Sequence, residues 1–148
     1  SLLKKLKAAR NFNQGFATVE FTASALADMK LYAAHEATDD VDRFEHDVLR
    51  DIGMPAEIVM RHRLPHFMHI VSGYAAGYYS YMWSEVMDAD AFAAFEETGD
   101  IFDRKTAGRL KRYIYAAGNT RDPEEAYVKF RGRPPEIEGL LRNRGFLT

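Results

Sequence analysis

The chain has 148 residues, of which 47% are apolar and 28% are charged, a balance typical of a globular domain. It is long enough to bury a hydrophobic core of its own, and we treat residues 1–148 as a single segment. The formal net charge of −2 points to neither a nucleic-acid partner nor an acidic membrane surface. Basic residues do gather in the last 40 positions, but acidic residues lie among them, which favours a solvated surface there.

The cysteine content and the hydropathy of the chain indicate the cellular compartment in which the protein is found. The chain has no cysteine, which excludes disulfides and thiolate metal sites and fits a reducing environment. Because no run of about 18 apolar residues is present, the sequence predicts no membrane span, and we expect a cytoplasmic protein. The opening SLLKKLKAAR lacks a methionine and the continuous apolar core of a signal peptide, and it starts inside an amphipathic pattern. We therefore expect a piece of a longer chain.

Apolar residues recur at helical spacing throughout, without a convincing alternating strand, which predicts an all-α fold of six to eight helices. Two start signals stand out: oxygen-bearing side chains at residues 38–40, and Asp122 followed by Pro123 and two glutamates. The predicted helices cover residues 2–10, 16–34, 41–52, 56–62, 75–97, 104–117, 123–130 and a short last stretch between Pro135 and Gly145.

Two histidine patterns could be interpreted as metal ligands, and neither is favoured. His35 and Glu36 begin like a zinc-peptidase motif, but Asp39 stands where that motif needs its second histidine. The other pattern is three histidines at spacings of four and three: His62, His66 and His69. Pro65 opposes the continuous helix that would align them. The sequence alone therefore predicts no metal site of its own.

The segment HIVSGYAAGYYSY, residues 69–81, gathers four tyrosines beside a histidine. If a helix begins at Ala75, one stripe of that helix carries Tyr74, Tyr78 and Tyr81, with His69 across a turn at Gly73. Phenol hydroxyls and an imidazole N–H are suitable donors to an oxyanion that develops during acyl transfer. A packed aromatic core explains the same residues equally well, because no nucleophile–base pair accompanies them.

The longer stretch HIVSGYAAGYYSYMWSEVMDADAF strongly resembles the substrate-binding segment of the thimet oligopeptidase family of zinc metallopeptidases. The likeness is greatest to the branch of bacterial peptidyl-dipeptidases (dipeptidyl carboxypeptidases) and oligopeptidase A. It covers essentially the whole chain. Further matching stretches are residues 12–16, residues 23–29, Arg131-Gly132-Arg133 with Pro135, and residues 140–145.

This resemblance implies a mostly helical catalytic domain with a deep cleft that hydrolyses oligopeptides. In the family, zinc bound by H-E-x-x-H and a downstream glutamate activates water. By position, Tyr81 would stabilise the oxyanion, while Tyr74 and His69 would contact the peptide backbone. The glycine loop at Gly73 would let these groups close on bound peptide. Tyr78 and Tyr79 would pack or support.

Two departures from the family pattern shape the expectation. H-E-x-x-H is absent, which fits a C-terminal segment that lies downstream of the metal-binding part. We then expect the segment alone to bind no zinc and to be inactive, with the upstream part of the same polypeptide as its partner. The link from His69 to Tyr74 is also a residue or two shorter than in many relatives, through either a deletion or a missing stretch.

Two further alternatives stay open at this stage. Helices parted from their neighbours would expose apolar surface, so the excised segment could form a dimer. A non-catalytic helical module that only binds peptides would use the same aromatic residues for affinity. The choice between peptidyl-dipeptidase and endopeptidase depends on how the cleft is blocked, which these residues do not determine.

Overall fold

The computed structural model describes residues 1–147, and the chain divides into two compact units, Ser1–Tyr81 and Met82–Thr148. Within the described residues there are eight α-helices and no strand, so the predicted all-α class is confirmed. None of the helices in this range is long and apolar enough to cross a membrane. The helices are α1 Leu2–Ala9, α2 Gln14–Ala33, α3 Val41–Asp51, α4 Met68–Val71, α5 Ser80–Glu96, α6 Arg104–Leu110, α7 Pro123–Arg131 and α8 Glu138–Asn143.

The first unit is built around α2, which packs against α3. The centre of α2 buries only small residues and one aspartate, so neighbouring backbone can approach it closely. The larger buried side chains come from α3 and from the segment that follows it. The buried core of this unit consists of Ala23, Ala25, Ala27, Val48, Leu49, Met60, Leu64, Phe67, Ile70 and Tyr78.

Helix α3 begins and ends where its capping residues predict. The carboxylate of Asp40 accepts a hydrogen bond from the amide of Arg43 at 2.9 Å, which satisfies one of the free N–H groups of the first turn. Beyond the helix, Gly53 has a φ of +73°, the left-handed conformation that commonly ends a helix. With its ends fixed in this way, α3 packs its apolar residues, among them Val48 and Leu49, against α2.

The helix predicted for residues 56–62 is wrong. This stretch forms a turn, in which the amide of Ile58 donates to the carbonyl of Pro55, and then runs on without helical hydrogen bonds to a 3-10 turn at Leu64–His66. The buried carboxylate of Glu45 accepts from the amide of Leu64 and from the side chain of Arg63. These tertiary bonds outweigh the helix propensity of a segment too short to be stable alone.

The second unit packs α5, α7 and α8 through two apolar clusters. Helix α6 continues into a π-helical turn at Lys111–Tyr115, which matches the predicted extent of 104–117. Gly139 allows α8 to approach α5, since a Cβ there would lie 3.1 Å from the carbonyl carbon of Ala89. The buried residues of the two clusters are Val86, Ala89 and Leu140, and Ala94, Tyr127 and Phe130.

Two basic residues of the region for which the sequence favoured a solvated surface instead bind a buried carboxylate. The carboxylate of Asp90 is buried; its Oδ1 lies 2.7 Å from Nη2 of Arg133, and its Oδ2 lies 3.3 Å from Nε of Arg131. The hydroxyl of Tyr127 donates to Oδ2 at 2.7 Å. Arg131, itself nearly buried, also forms a two-pronged pair with Glu97. The arginines therefore hold α5 and α7 together.

These contacts set the ionisation of Asp90. Burial alone would raise the pKa of this carboxyl, but hydrogen bonds from Arg133 and Tyr127, with the charge of Arg131, outweigh it and lower the pKa below its ordinary value. Because the unfolded chain binds the proton more tightly, the stability that Asp90 contributes is complete above its unfolded pKa of about 4. That stability is lost as the pH falls through the lower folded value.

We therefore expect the unfolding free energy of the wild-type chain to decrease as the pH is lowered below about 4, and Asp90→Asn to flatten this part of the profile. Denaturant unfolding between about pH 2.5 and 6 measures it. Asp88→Asn, an exposed aspartate on the same helix, is the matched control and should keep the wild-type dependence. An unchanged profile in Asp90→Asn would contradict the assignment.

Candidate functional site

The tyrosine-bearing segment is a turn that joins α4 to α5, so the helix predicted from residue 75 begins later than expected. Ala76 has a φ of +53°, which is left-handed and incompatible with an α-helix at that point. The amide of Tyr74 donates to the carbonyl of His69 at 2.9 Å, which closes the turn across Gly73. Helix α5 then begins at Ser80.

This turn nevertheless brings together the three side chains that the sequence singled out. The ring centroids of His69 and Tyr74 lie 6.0 Å apart, and those of His69 and Tyr81 lie 5.9 Å apart. The rings of Tyr74 and Tyr81 stack at 5.5 Å with an interplanar angle of 18°. Tyr74 remains 45% exposed and Tyr81 39% exposed, so this His/Tyr cluster is open to a ligand.

Tyr78 lies beneath the His/Tyr cluster as a buried support. Its ring centroid is 5.2 Å from that of His69 and 5.3 Å from that of Tyr81. On its other sides it stacks on Phe21 at 4.9 Å and meets the edge of Phe67 at 4.8 Å. The predicted packing role of Tyr78 agrees with this burial, whereas Tyr79, predicted to pack as well, is half exposed.

The surroundings of Tyr81 favour the protonated form of its hydroxyl. A hydrogen bond with Tyr74 raises the pKa of Tyr81 above its ordinary value, with smaller contributions from desolvation and the neighbouring phenols. Burial raises the pKa of Tyr78. The hydroxyl of Tyr81 can therefore donate a hydrogen bond to a carbonyl or oxyanion.

A second histidine, His62, adjoins the His/Tyr cluster. Its ring stacks on Phe67 at 5.0 Å and lies 5.9 Å from the ring of His69. Desolvation lowers the pKa of His62, and electrostatic interactions with the neighbouring Arg61 and His69 side chains lower it further. The sequence had indicated His62 only as part of a histidine triplet. Within residues 1–147, no three His, Asp or Glu side chains lie close enough together to hold a metal ion, so the residues present do not fit a zinc site.

Two residues of α2 that the sequence did not single out form hydrogen bonds to the backbone that carries the His/Tyr cluster. The buried carboxylate of Asp28 accepts from the amides of Ala76 and Tyr78. The hydroxyl of Tyr32 donates to the carbonyl of Ile70 in α4 at 2.5 Å. A signal for Asp28 was present, since it is a lone carboxylate within the most apolar part of α2.

Comparison with known proteins identifies the class. The sequence model of peptidase family M3 matches residues 1–146, almost the whole chain. The chain therefore belongs to peptidase family M3, in agreement with the resemblance that its tyrosine segment carries.

Individual relatives agree with this assignment. The chain is 37% identical to dipeptidyl carboxypeptidase of Escherichia coli K12 over 97% of this chain and 22% of that protein. It is 37% identical to probable cytosolic oligopeptidase A of Arabidopsis thaliana over 100% of this chain and 22% of that protein. Its identity to Escherichia coli oligopeptidase A is 36%, over the same shares of 97% and 22%. The chain thus spans about a fifth of the length of the curated relatives it matches.

The turn at Gly73 yields a stability prediction. Its φ of +130° disfavours any residue with a side chain, although a Cβ there would meet no heavy atom within 4 Å. We expect Gly73→Ala to lower the unfolding free energy by about 1–3 kcal/mol through backbone strain alone. Gly15→Ala, in the first turn of α2 and equally free of neighbours, should instead be neutral or stabilising by up to about 1 kcal/mol.

Urea unfolding of the two variants beside the wild-type chain measures the difference. A Gly73→Ala variant as stable as Gly15→Ala would contradict the strained turn.

Proposed function

We propose that this chain forms part of the catalytic domain of a zinc-dependent oligopeptidase or peptidyl-dipeptidase, and that it supplies the groups that bind the peptide and stabilise its transition state. The observation that carries the proposal is the His/Tyr cluster, three partly exposed donors with ring centroids within 6.0 Å of one another. The family assignment and the names of the relatives, dipeptidyl carboxypeptidase and oligopeptidase A, support a peptide as the ligand.

In this proposal the three side chains have different tasks. Tyr81 donates its hydroxyl hydrogen to the oxyanion that replaces the scissile carbonyl oxygen, because a phenol is a hydrogen-bond donor at neutral pH. Tyr74 and His69 donate to carbonyl groups of the peptide backbone and fix its register. The stacking of Tyr74 on Tyr81 couples substrate binding to the orientation of the oxyanion donor. Gly73 gives the connecting loop the freedom to close over the peptide.

The metal and the general base lie outside this chain in the proposal. The described residues do not form a zinc site, so the steps assigned to this chain are binding, orientation and hydrogen-bond donation. We expect the chain alone to show no peptide hydrolysis. The complete polypeptide, which supplies the other residues of the site, should be a chelator-sensitive peptidase.

Tyr81→Phe tests the central assignment in the zinc-loaded parent protein. Loss of one oxyanion donor should lower kcat by on the order of ten- to a thousandfold, with the zinc content unchanged. Steady-state kinetics on a short chromogenic peptide measures it. Tyr79→Phe is the matched control, since Tyr79 is an exposed phenol two residues away and outside the cluster; its kcat should stay at the wild-type value.

A Tyr81→Phe variant that keeps both its zinc and its kcat would overturn the role of Tyr81. If it also bound peptide more weakly while turnover was unchanged, the alternative of a non-catalytic peptide-binding function for the cluster would be favoured. Peptide titration of the Tyr74→Phe, Tyr81→Phe double variant tests a third alternative, a purely structural aromatic core. In that case the affinity for peptide would not change, whereas the catalytic and the peptide-binding roles both predict weaker binding.

The exposed apolar side chains of the first unit indicate a further partner. Leu2, Leu6 and Phe12 are 74%, 61% and 85% exposed, and α1 buries none of its residues. Isolated apolar residues are common on surfaces, but a helix with its whole apolar stripe exposed is typical of an interface. Since the chain spans only about a fifth of its relatives' length, we propose that the rest of the parent polypeptide covers this stripe.

On its own, the chain of residues 1–148 should then self-associate through the same stripe. Sedimentation velocity is expected to show a concentration-dependent dimer that a Leu2→Ser, Leu6→Ser, Phe12→Ser variant abolishes. A matched control replaces Ile101 and Phe102, exposed apolar residues of the second unit, by serine and should leave the association unchanged. A wild-type chain that is monomeric at high micromolar concentration would contradict this surface.

A further inference from the structure

Asp28 is the most unusual residue of the first unit, because its side chain is fully buried and its partners are backbone amides. Its Oδ1 accepts from the amide of Ala76 at 2.8 Å, and its Oδ2 accepts from the amide of Tyr78 at 2.9 Å. Within residues 1–147 it forms no ion pair with a basic side chain. A buried carboxylate is costly unless it is well hydrogen-bonded, so these two amides are the groups that make this position tolerable.

The two amides lie in a segment whose backbone conformation is unfavourable unless other residues stabilise it. Ala76, which donates one of them, has the left-handed φ of +53°, a conformation that a residue with a side chain rarely adopts unless its surroundings impose it. Tyr78 donates the other and carries the ring that supports the cluster. Asp28 therefore fixes the backbone midway between Tyr74 and Tyr81.

The same face of α2 also fixes the other side of the cluster. Tyr32, one helical turn beyond Asp28, donates its hydroxyl to the carbonyl of Ile70, the residue next to His69. Helix α2 thus holds α4 and the tyrosine turn with two separate hydrogen-bonding side chains.

We propose that Asp28 is a positioning residue that sets the placement of Tyr74 and Tyr81 relative to His69, with Tyr32 performing the same task for α4. The inference rests on the proposed function, because it assumes that the His/Tyr cluster donates to the substrate. Asp28 touches no substrate; it acts through the turn. Since small displacements of a catalytic group can cost orders of magnitude in rate, loss of this anchor should be visible in catalysis.

Asp28→Asn is the first variant, made in the zinc-loaded parent protein. The amide has one acceptor oxygen instead of two and turns an NH2 group toward a backbone N–H, so one of the two anchoring bonds is lost. Hydrogen exchange followed by mass spectrometry should show faster exchange in peptides that cover residues 74–79. The kcat, normalised to zinc content, should decrease by about ten- to a hundredfold.

A double-mutant cycle with Tyr81→Phe distinguishes positioning from a general loss of stability. If Asp28 acts through Tyr81, the kcat of the double variant should be close to that of the worse single variant. Asp90→Asn is the matched control, a buried aspartate in the second unit that binds side chains rather than this turn. The effect of Asp90→Asn on kcat, if there is one, should multiply independently with that of Tyr81→Phe. Asp90→Asn should leave the hydrogen exchange of residues 74–79 unchanged.

Each outcome decides between the two proposals. A loss of kcat in Tyr81→Phe, with wild-type kcat and exchange in Asp28→Asn, overturns the positioning role and leaves the proposed function standing. Faster exchange in Asp28→Asn, with wild-type kcat and zinc content in Tyr81→Phe, supports the anchoring of the turn and overturns the proposed role of Tyr81. Effects of Asp28→Asn and Tyr81→Phe that multiply independently overturn positioning through Tyr81.

Tyr32→Phe provides a second route if Asp28→Asn does not fold. This change removes only one hydroxyl, from a side chain that is partly exposed. It should lower kcat/KM by several-fold, and it should have no additional effect in a His69→Ala background, because it acts through the helix that carries His69. Independent effects of Tyr32→Phe and His69→Ala would overturn the role of α2 as the common support.

Discussion

The placement of the candidate site depends on one buried carboxylate and the two backbone amides that it accepts. Asp28 lies in the middle of α2 among alanines. Because these side chains are small, the helix packs closely against the tyrosine turn and the Asp28 carboxylate reaches its amides. Its burial is favourable only when the turn is in place, and the left-handed Ala76 is tolerated only when the carboxylate is in place. The core of the first unit and the geometry of the His/Tyr cluster are therefore determined together.

A comparison of the two buried aspartates shows why their consequences differ. Asp90 accepts hydrogen bonds from the side chains of Tyr127 and Arg133 and forms an ion pair with Arg131, and so it holds α5 and α7 against each other. Asp28 is satisfied by main-chain groups of a turn that helical hydrogen bonds do not support. The first arrangement stabilises packed helices, whereas the second specifies the conformation of a loop, which is where functional side chains are usually presented.

The sequence predicted helices well where local signals decide them and failed where distant partners do. Helix α7 begins at its predicted cap, because the Asp122 carboxylate accepts from two amides of the first turn. The stretch 56–62 looked helical by periodicity, but Glu45 holds the chain that follows it in another conformation. Residues 75–79 looked like the first turn of α5, yet their conformation is set by Asp28, which lies 48 and 50 positions away from its partners.

The sequence predicted that Tyr74 and Tyr81 lie close together, but it predicted the wrong local structure for them. Tyr74 and Tyr81 were expected on one stripe of a helix, and they meet instead by ring stacking across a turn. A helix would have fixed their spacing through its regular hydrogen bonds, whereas this turn has only a few backbone hydrogen bonds of its own and is also held by the Asp28 carboxylate. Because a hydrogen bond depends on the direction of its donor, this support by Asp28 influences how the two hydroxyls are presented. The residue types of the His/Tyr cluster were visible in the sequence, but the side chain that holds the tyrosine turn in place, Asp28, lies far away along the chain in α2.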